Sequence, residues 1–352
     1  MLTRGAVNAH THLYSGLAPL GIPAPTVTTT NFREILERVW WPLDRALDHR
    51  TLTASARYYV AHALLAGATC LVDHHESPVC LDGSLDVLAD ACESLGCRAV
   101  LCYGATERNG GRDEARRGLA ECERFLRSNR RPLVRGAVGL HASFTVSDET
   151  VRDAAELARR HDVALHVHVA EDPCDVDDAR ARGYDGPVAR LVALGALREG
   201  DVLAHGVWLG EREVDAVNER GAWLVQCPRS NANNRVGYPR LVSRVRRVAL
   251  GTDGFAAVMR DEARALGEEA ARHGDDASDL ARRSEGGHRL AERFFGELTD
   301  TVRVEEGRVT AVTVGGRAVV RDGALVTGDI DTIDAEARAA ADALWRVMRN
   351  SP

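Results

Sequence analysis

Ala6-Val7-Asn8-Ala9-His10-Thr11-His12, close to the amino terminus, is a short apolar run that ends in two histidines. Residues two apart on a strand point to the same face, so two imidazoles leaving the end of such a strand can reach one metal ion. A single His-x-His pair is weak evidence. The weight comes from recurrence, because further apolar runs end in groups that carry chemistry. Ala68 to Asp73 leads into His74-His75, Val134 to Leu140 into His141, and Val163 to Val167 into His168. Asp201 to Ala204 leads into His205, Ala222 to Gln226 into Cys227-Pro228-Arg229, and Val245 to Gly251 into Thr252-Asp253-Gly254.

With Cys97 to Tyr103 these make eight short buried strands. Helical stretches separate them, among them Thr51 to Ala66, Gly83 to Ser94, Asp113 to Leu126, Ser147 to Arg160, Pro187 to Leu197 and Glu211 to Arg220. Such alternation predicts parallel βαβ units closing as an α/β fold, a (β/α)8 or TIM barrel, whose functional face lies at the carboxyl ends of the strands. After Asp253 the pattern changes. Thr301 to Val326 reads as an antiparallel β-meander with Gly-containing turns, and Ile333 to Met348 as an amphipathic helix that closes the chain. The expected organisation is a barrel over residues 1–296, a small C-terminal β-meander over 297–330 and a helix over 331–352.

The 352 residues carry a formal net charge of -7 without a basic patch, which argues against nucleic acid as the main partner. No run has the length and apolarity of a membrane span, and the first residues do not read as a signal peptide. Eight cysteines, none in a CxxC pair, read as reduced thiols of a cytoplasmic protein. All 45 basic residues are arginine; the absence of lysine excludes a Schiff base and a carboxylated lysine bridging two metals. The expected partner is a small molecule.

Neutral imidazoles and a carboxylate suit one divalent ion, zinc first and iron second. His10, His12, His168 and Asp253 offer three nitrogens and one oxygen. An ion held there would lower the pKa of a water toward neutrality and furnish a hydroxide nucleophile. Glu171, three residues after His168, is placed for general acid/base work; His205 is placed to hold the water, and Asp253 to accept a proton besides binding metal. Competing assignments stand beside these. His166 shares a strand face with His168, so one of them reads as a core histidine; His168 is favoured because Glu171 follows it. His74 and His75 point opposite ways, so at most one reaches the site. The Gly/Pro-rich segment Ser15 to Thr26 reads as a lid or binding loop. Of Trp40 and Trp41, in the helical stretch Phe32 to Ala46, either one packs inward and one toward that lid, with Trp40 on the substrate side, or both belong to the core.

Asn8-Ala9-His10-Thr11-His12, His168-Val169-Ala170-Glu171, Leu203-Ala204-His205-Gly206 and Leu250-Gly251-Thr252-Asp253 together resemble the amidohydrolase superfamily, in its branch of mononuclear-metal deaminases and chlorohydrolases. Ile35 to Trp41, Val72 to Pro78, Gly139 to Thr145 and Pro228 to Asn234 resemble aminohydrolases of the SsnA kind. The resemblance implies metal on His10, His12, His168 and Asp253, proton transfer by Glu171, water positioning by His205, and substrate contacts from His141 and Arg229. A homodimer follows by family analogy. It also implies a β-sandwich built from segments before and after the barrel. Here the chain starts almost at the metal motif, so only Val302 to Val326 is expected to remain of that sandwich. The implied activity is hydrolytic deamination of a purine-, pyrimidine- or pterin-like heterocycle. The alternatives are cleavage of a C–Cl or cyclic amide bond at the same site, or a trimmed, non-catalytic member.

Overall fold

The structure, a computed structural model, describes residues 1–350. Its barrel strands are β2 (Ala6–Thr11), β3 (Ala68–His75), β4 (Arg98–Ala105), β5 (Val134–Gly136), β6 (Val138–Ala142), β7 (Leu165–Val169), β8 (Val202–His205), β9 (Trp223–Gln226) and β10 (Val248–Leu250), after a first short strand β1 (Leu2–Arg4). They run parallel in the order β2-β3-β4-β6-β7-β8-β9-β10, with β5 beside β4. The fourth barrel position is thus one strand interrupted at Ala137. Every residue of β3, β6, β7, β8, β9 and β10 is buried, as expected of parallel strands covered by helices.

The barrel closes where its ends meet. Thr11 bridges to Asp253, and the Thr252 and Asp253 amides donate to the His10 carbonyl at 2.9 and 3.0 Å. Gly251 permits this approach, because a Cβ there would come within 2.7 Å of the His10 side chain and 2.8 Å of its backbone. A buried polar knot locks the seam. Asn8 Nδ2 donates to Thr252 Oγ1 at 2.7 Å, and the Thr252 amide donates to Asn8 Oδ1 at 3.0 Å. From the helix His49–Leu65, the Tyr59 hydroxyl accepts from Thr11 Oγ1 at 2.6 Å and donates to the Phe255 carbonyl at 2.8 Å.

The second sheet differs from expectation in one strand. β11 (Thr301–Glu305), β12 (Arg308–Val314), β13 (Arg317–Arg321) and β14 (Ala324–Leu325) form the meander. β1 adds antiparallel to β11, giving β1-β11-β12-β13-β14. Three exposed residues are too few to show a period of two, so sequence periodicity misses this strand. The C-terminal helix, Ile330–Asn350, shares the main core: Ile333, Ala337, Leu344 and Trp345 pack with barrel residues, and Trp345 Nε1 donates at 3.2 Å to the carbonyl of Leu20, in the Ser15-to-Thr26 segment. Among the described residues no helix is long and apolar enough to cross a membrane. All eight cysteines are free, six of them buried.

Tyr59→Phe removes the hydroxyl at the centre of the seam and leaves buried partners unsatisfied. The expected outcome is a loss of about 1–3 kcal/mol in urea unfolding, with secondary structure retained by circular dichroism.

Candidate metal centre and active site

Three ring nitrogens and one carboxylate oxygen converge at the carboxyl end of the barrel. His168 Nε2 lies 3.2 Å from His10 Nε2 and 3.3 Å from His12 Nε2. Asp253 Oδ1 lies 2.9 Å from His12 Nε2 and 3.6 Å from His10 Nε2. Four donor atoms on a tetrahedron around an ion at about 2.0–2.1 Å stand a little over 3 Å apart, so this constellation fits one divalent cation. The set also suits zinc chemically, being imidazole-rich with one hard oxygen.

Each of these side chains is fixed by a second bond. His10 Nδ1 faces His166 Nε2 at 2.9 Å, His12 Nδ1 faces the His74 carbonyl at 2.5 Å, and His168 Nδ1 faces the His141 carbonyl at 2.5 Å. The other Asp253 oxygen accepts from Ser230 Oγ. These outer bonds leave the Nε2 atoms toward the common centre, the arrangement that orients metal ligands generally. His166 and His168 therefore divide the work that sequence parity left between them: His168 joins the centre and His166 supports His10 from below. His74 packs 4.6 Å from His168 by ring centroids, whereas His75 turns away to Ser77 Oγ at 2.7 Å.

The backbone bends sharply to aim these groups. Ala170, His205 and Asp253 take φ of 50°, 72° and 53°, a region costly for residues with a Cβ and concentrated at functional sites. His205 Nδ1 faces Asn231 Oδ1 at 2.9 Å, and its Nε2, buried without a hydrogen-bond partner, lies 3.4 Å from Glu171 Oε2. Burial and then the Asp253 charge hold the Glu171 carboxyl well above its ordinary range. Burial pushes His10 down to about 3. Burial opposes protonation of His12 too, but the Glu76 and Asp253 carboxylates outweigh it and raise His12 to about 10.

A cavity opens onto this centre, lined by His12, His168, Glu171 and Asp253 on its floor and by Phe32, Leu36, Trp40, Trp41 and Phe144 on its apolar side. Trp40 and Trp41 both reach it because residues Leu36–Trp40 form a π-turn that shifts the helix register; the expected split between core and lid does not occur. His141 also lines the cavity, with Nδ1 facing Thr145 Oγ1 at 3.0 Å. Arg229, expected to face substrate, is not among the lining residues. Its guanidinium pairs with the fully buried Glu262, donates to the Ala256 carbonyl at 2.8 Å and lies over Phe255. Residues unassigned by sequence reasoning line the cavity as well: Tyr14, Glu76, Arg108 and Asn234. Glu76 was within reach, since it directly follows His74-His75. Arg108 carried no such signal, standing alone in a polar loop.

Comparisons with known proteins agree with this geometry. The amidohydrolase family matches residues 1–293. An 8-oxoguanine deaminase of Pseudomonas aeruginosa is 30% identical, covering 97% of this chain and 86% of that protein. A 5'-deoxyadenosine deaminase of Methanopyrus kandleri is 29% identical over 72% of this chain and 57% of that protein. The chain spans somewhat less than three fifths of the length of several such curated relatives. A zinc-bound adenosine deaminase from Xanthomonas campestris superposes with a TM-score of 0.81 at 25% identity, over 97% of this chain and 85% of that one. An atrazine chlorohydrolase from Arthrobacter aurescens, at 20% identity and a TM-score of 0.78 over 97% of this chain and 88% of that one, shares the fold. With its family match over most of the sequence, its nearly closed eight-stranded barrel and its converging His/Asp cluster, this chain belongs to the amidohydrolase family.

Proposed function

We propose that the chain is a metal-dependent hydrolase that removes the amino group from an amino-substituted nitrogen heterocycle. The observation that carries this reading is the convergence of His10, His12, His168 and Asp253 beside Glu171 and His205, under an apolar, aromatic-walled cavity. The zinc-class ion that the four residues would hold supplies Lewis acidity and a water of lowered pKa. Glu171 takes a proton from the attacking water and delivers it to the ring nitrogen beside the amino-bearing carbon. His205 orients that water through Nε2, the ring nitrogen left without a hydrogen-bond partner. Trp40, Trp41 and Phe144 flank the heterocycle and exclude bulk water, and His141 meets its polar edge. The second proton comes from the hydroxyl now on that carbon and passes through Asp253 to the amino group; the C–N bond then breaks, ammonia leaves, and the oxygen stays as the ring carbonyl. The deaminase names of the relatives favour a C–N bond over the C–Cl alternative. The acidic net charge favours a small molecule over nucleic acid.

Arg229 acts as support from outside the cavity, pairing with Glu262 and tying it to the Ala256 carbonyl three residues after Asp253.

Elemental analysis of purified protein is expected to find close to one zinc or iron per chain, and His10→Ala to lose it. Glu171→Gln is expected to keep the metal while ammonia release from a panel of aminoheterocycles falls by about 10²–10⁴-fold. Arg229→Ala strands the buried Glu262 carboxylate. It is expected to cost about 3–5 kcal/mol in urea unfolding, with part of the loss recovered in the Arg229→Ala/Glu262→Gln double variant.

A further inference from the structure

Arg108 follows β4 in a loop whose other contacts are structural. Its side chain is only 5% exposed and lines the cavity over the metal centre. One guanidinium nitrogen, Nη2, donates to Asp44 Oδ2 at 2.7 Å, and Asp44 is itself buried. The guanidinium carbon lies 5.0 Å from the Trp41 ring centroid. Asp44 on one side and the indole on the other thus hold the group in place. Yet Nε and Nη1 of Arg108 have no acceptor, and neither does Nε1 of Trp41. Asp44 Oδ1 is unmatched as well. Buried polar groups in folded proteins are nearly always paired, and Arg108 and Trp41 both line the cavity, so a ligand acceptor entering it can supply a partner for these donors. Glu76 lines the same cavity and is 2% exposed; its Oε2 accepts no hydrogen bond and lies 3.5 Å from His12 Nδ1.

We propose that Arg108 and Trp41 form a donor patch that selects heterocycles bearing a ring oxo group. Asp44 is a positioning residue behind the patch. Its carboxylate cancels the guanidinium charge, which suits a neutral carbonyl better than a phosphate. A lactam, H–N–C=O, presents its oxygen to the patch and its N–H to Glu76. A ring without oxygen, as in adenine, leaves the buried donors unpaired, and sites built around a hydrogen bond strongly reject analogues that lack it. Trp41, Arg108 and Phe144 also line a neighbouring cleft of about 410 Å³, so a substituent on the oxo-bearing ring has room to extend past the patch. This assignment rests on the deaminase reading for its reaction, but not for its binding.

Matched pairs test it: guanine against 2-aminopurine, and isocytosine against 2-aminopyrimidine, each pair differing in one oxo group. The metal-loaded protein is expected to favour the oxo member by about 100-fold or more in kcat/KM, and Arg108→Met to bring the two members within about threefold. The double variant Asp44→Asn/Arg108→Met removes both buried charges and serves if the single variant does not fold. Calorimetry with hypoxanthine and purine reads the same preference without turnover. Preferential binding of hypoxanthine that is lost in the variant, with no ammonia from any amine, keeps the patch and retires the deaminase reading. Ammonia release with no oxo preference, or with a preference that survives the variant, overturns the patch and leaves the deaminase reading standing. Equal binding of hypoxanthine and purine with no turnover also overturns the patch.

Discussion

Three imidazole nitrogens and a carboxylate oxygen aimed at one point repel one another unless a cation lies between them. That mutual repulsion is the constraint around which the molecule is arranged. At His12 and Asp253 the atoms are 2.9 Å apart, within hydrogen-bonding distance; a divalent ion would relieve all four at once. Keeping the lone pairs aimed inward needs a rigid outer frame. The frame is made of the barrel's own strand ends: two backbone carbonyls, a buried histidine and a serine hydroxyl hold the far sides of the ligands.

The frame is under local strain, and the strain lies where the chemistry does. Ala170, between His168 and Glu171, and then His205 and Asp253 all have left-handed backbone conformations at strand ends. An extended continuation would carry each following segment along the barrel axis. The positive φ turns it sideways, so a strand residue and the group just past it face the same centre. The polar knot of Asn8, Tyr59 and Thr252 beneath this layer offsets part of that cost by satisfying every hydroxyl at the seam.

The strands and the four side chains that converge at their ends were legible in the sequence because both are local signals. Apolar runs of four to eight residues ending in His or Asp need no knowledge of distant partners. The residues that shape the cavity were not legible for the opposite reason. Asp44 and Arg108 lie in different segments and meet only in the fold, and each alone looks like a surface charge. Trp41 was assigned by α-helical register, which the π-turn at Leu36–Trp40 breaks. Arg229 was carried over by resemblance, and its side chain has a nearer partner, Glu262, on the helix Met259–His273. β1 is three residues long and exposed, with no face to reveal itself.

The seam between the first and last barrel strands has a consequence for biosynthesis. His10 and His12 emerge from the ribosome early, whereas Asp253 follows after more than two hundred residues, and the two sides meet only when the ring is closed. A nascent or prematurely ended chain that lacks Asp253 therefore has at most three of the four converging groups and cannot complete the set. Occupancy by metal becomes a certificate that the whole barrel has been made and joined, and the ion, once seated, acts as a rivet across the last contact to form.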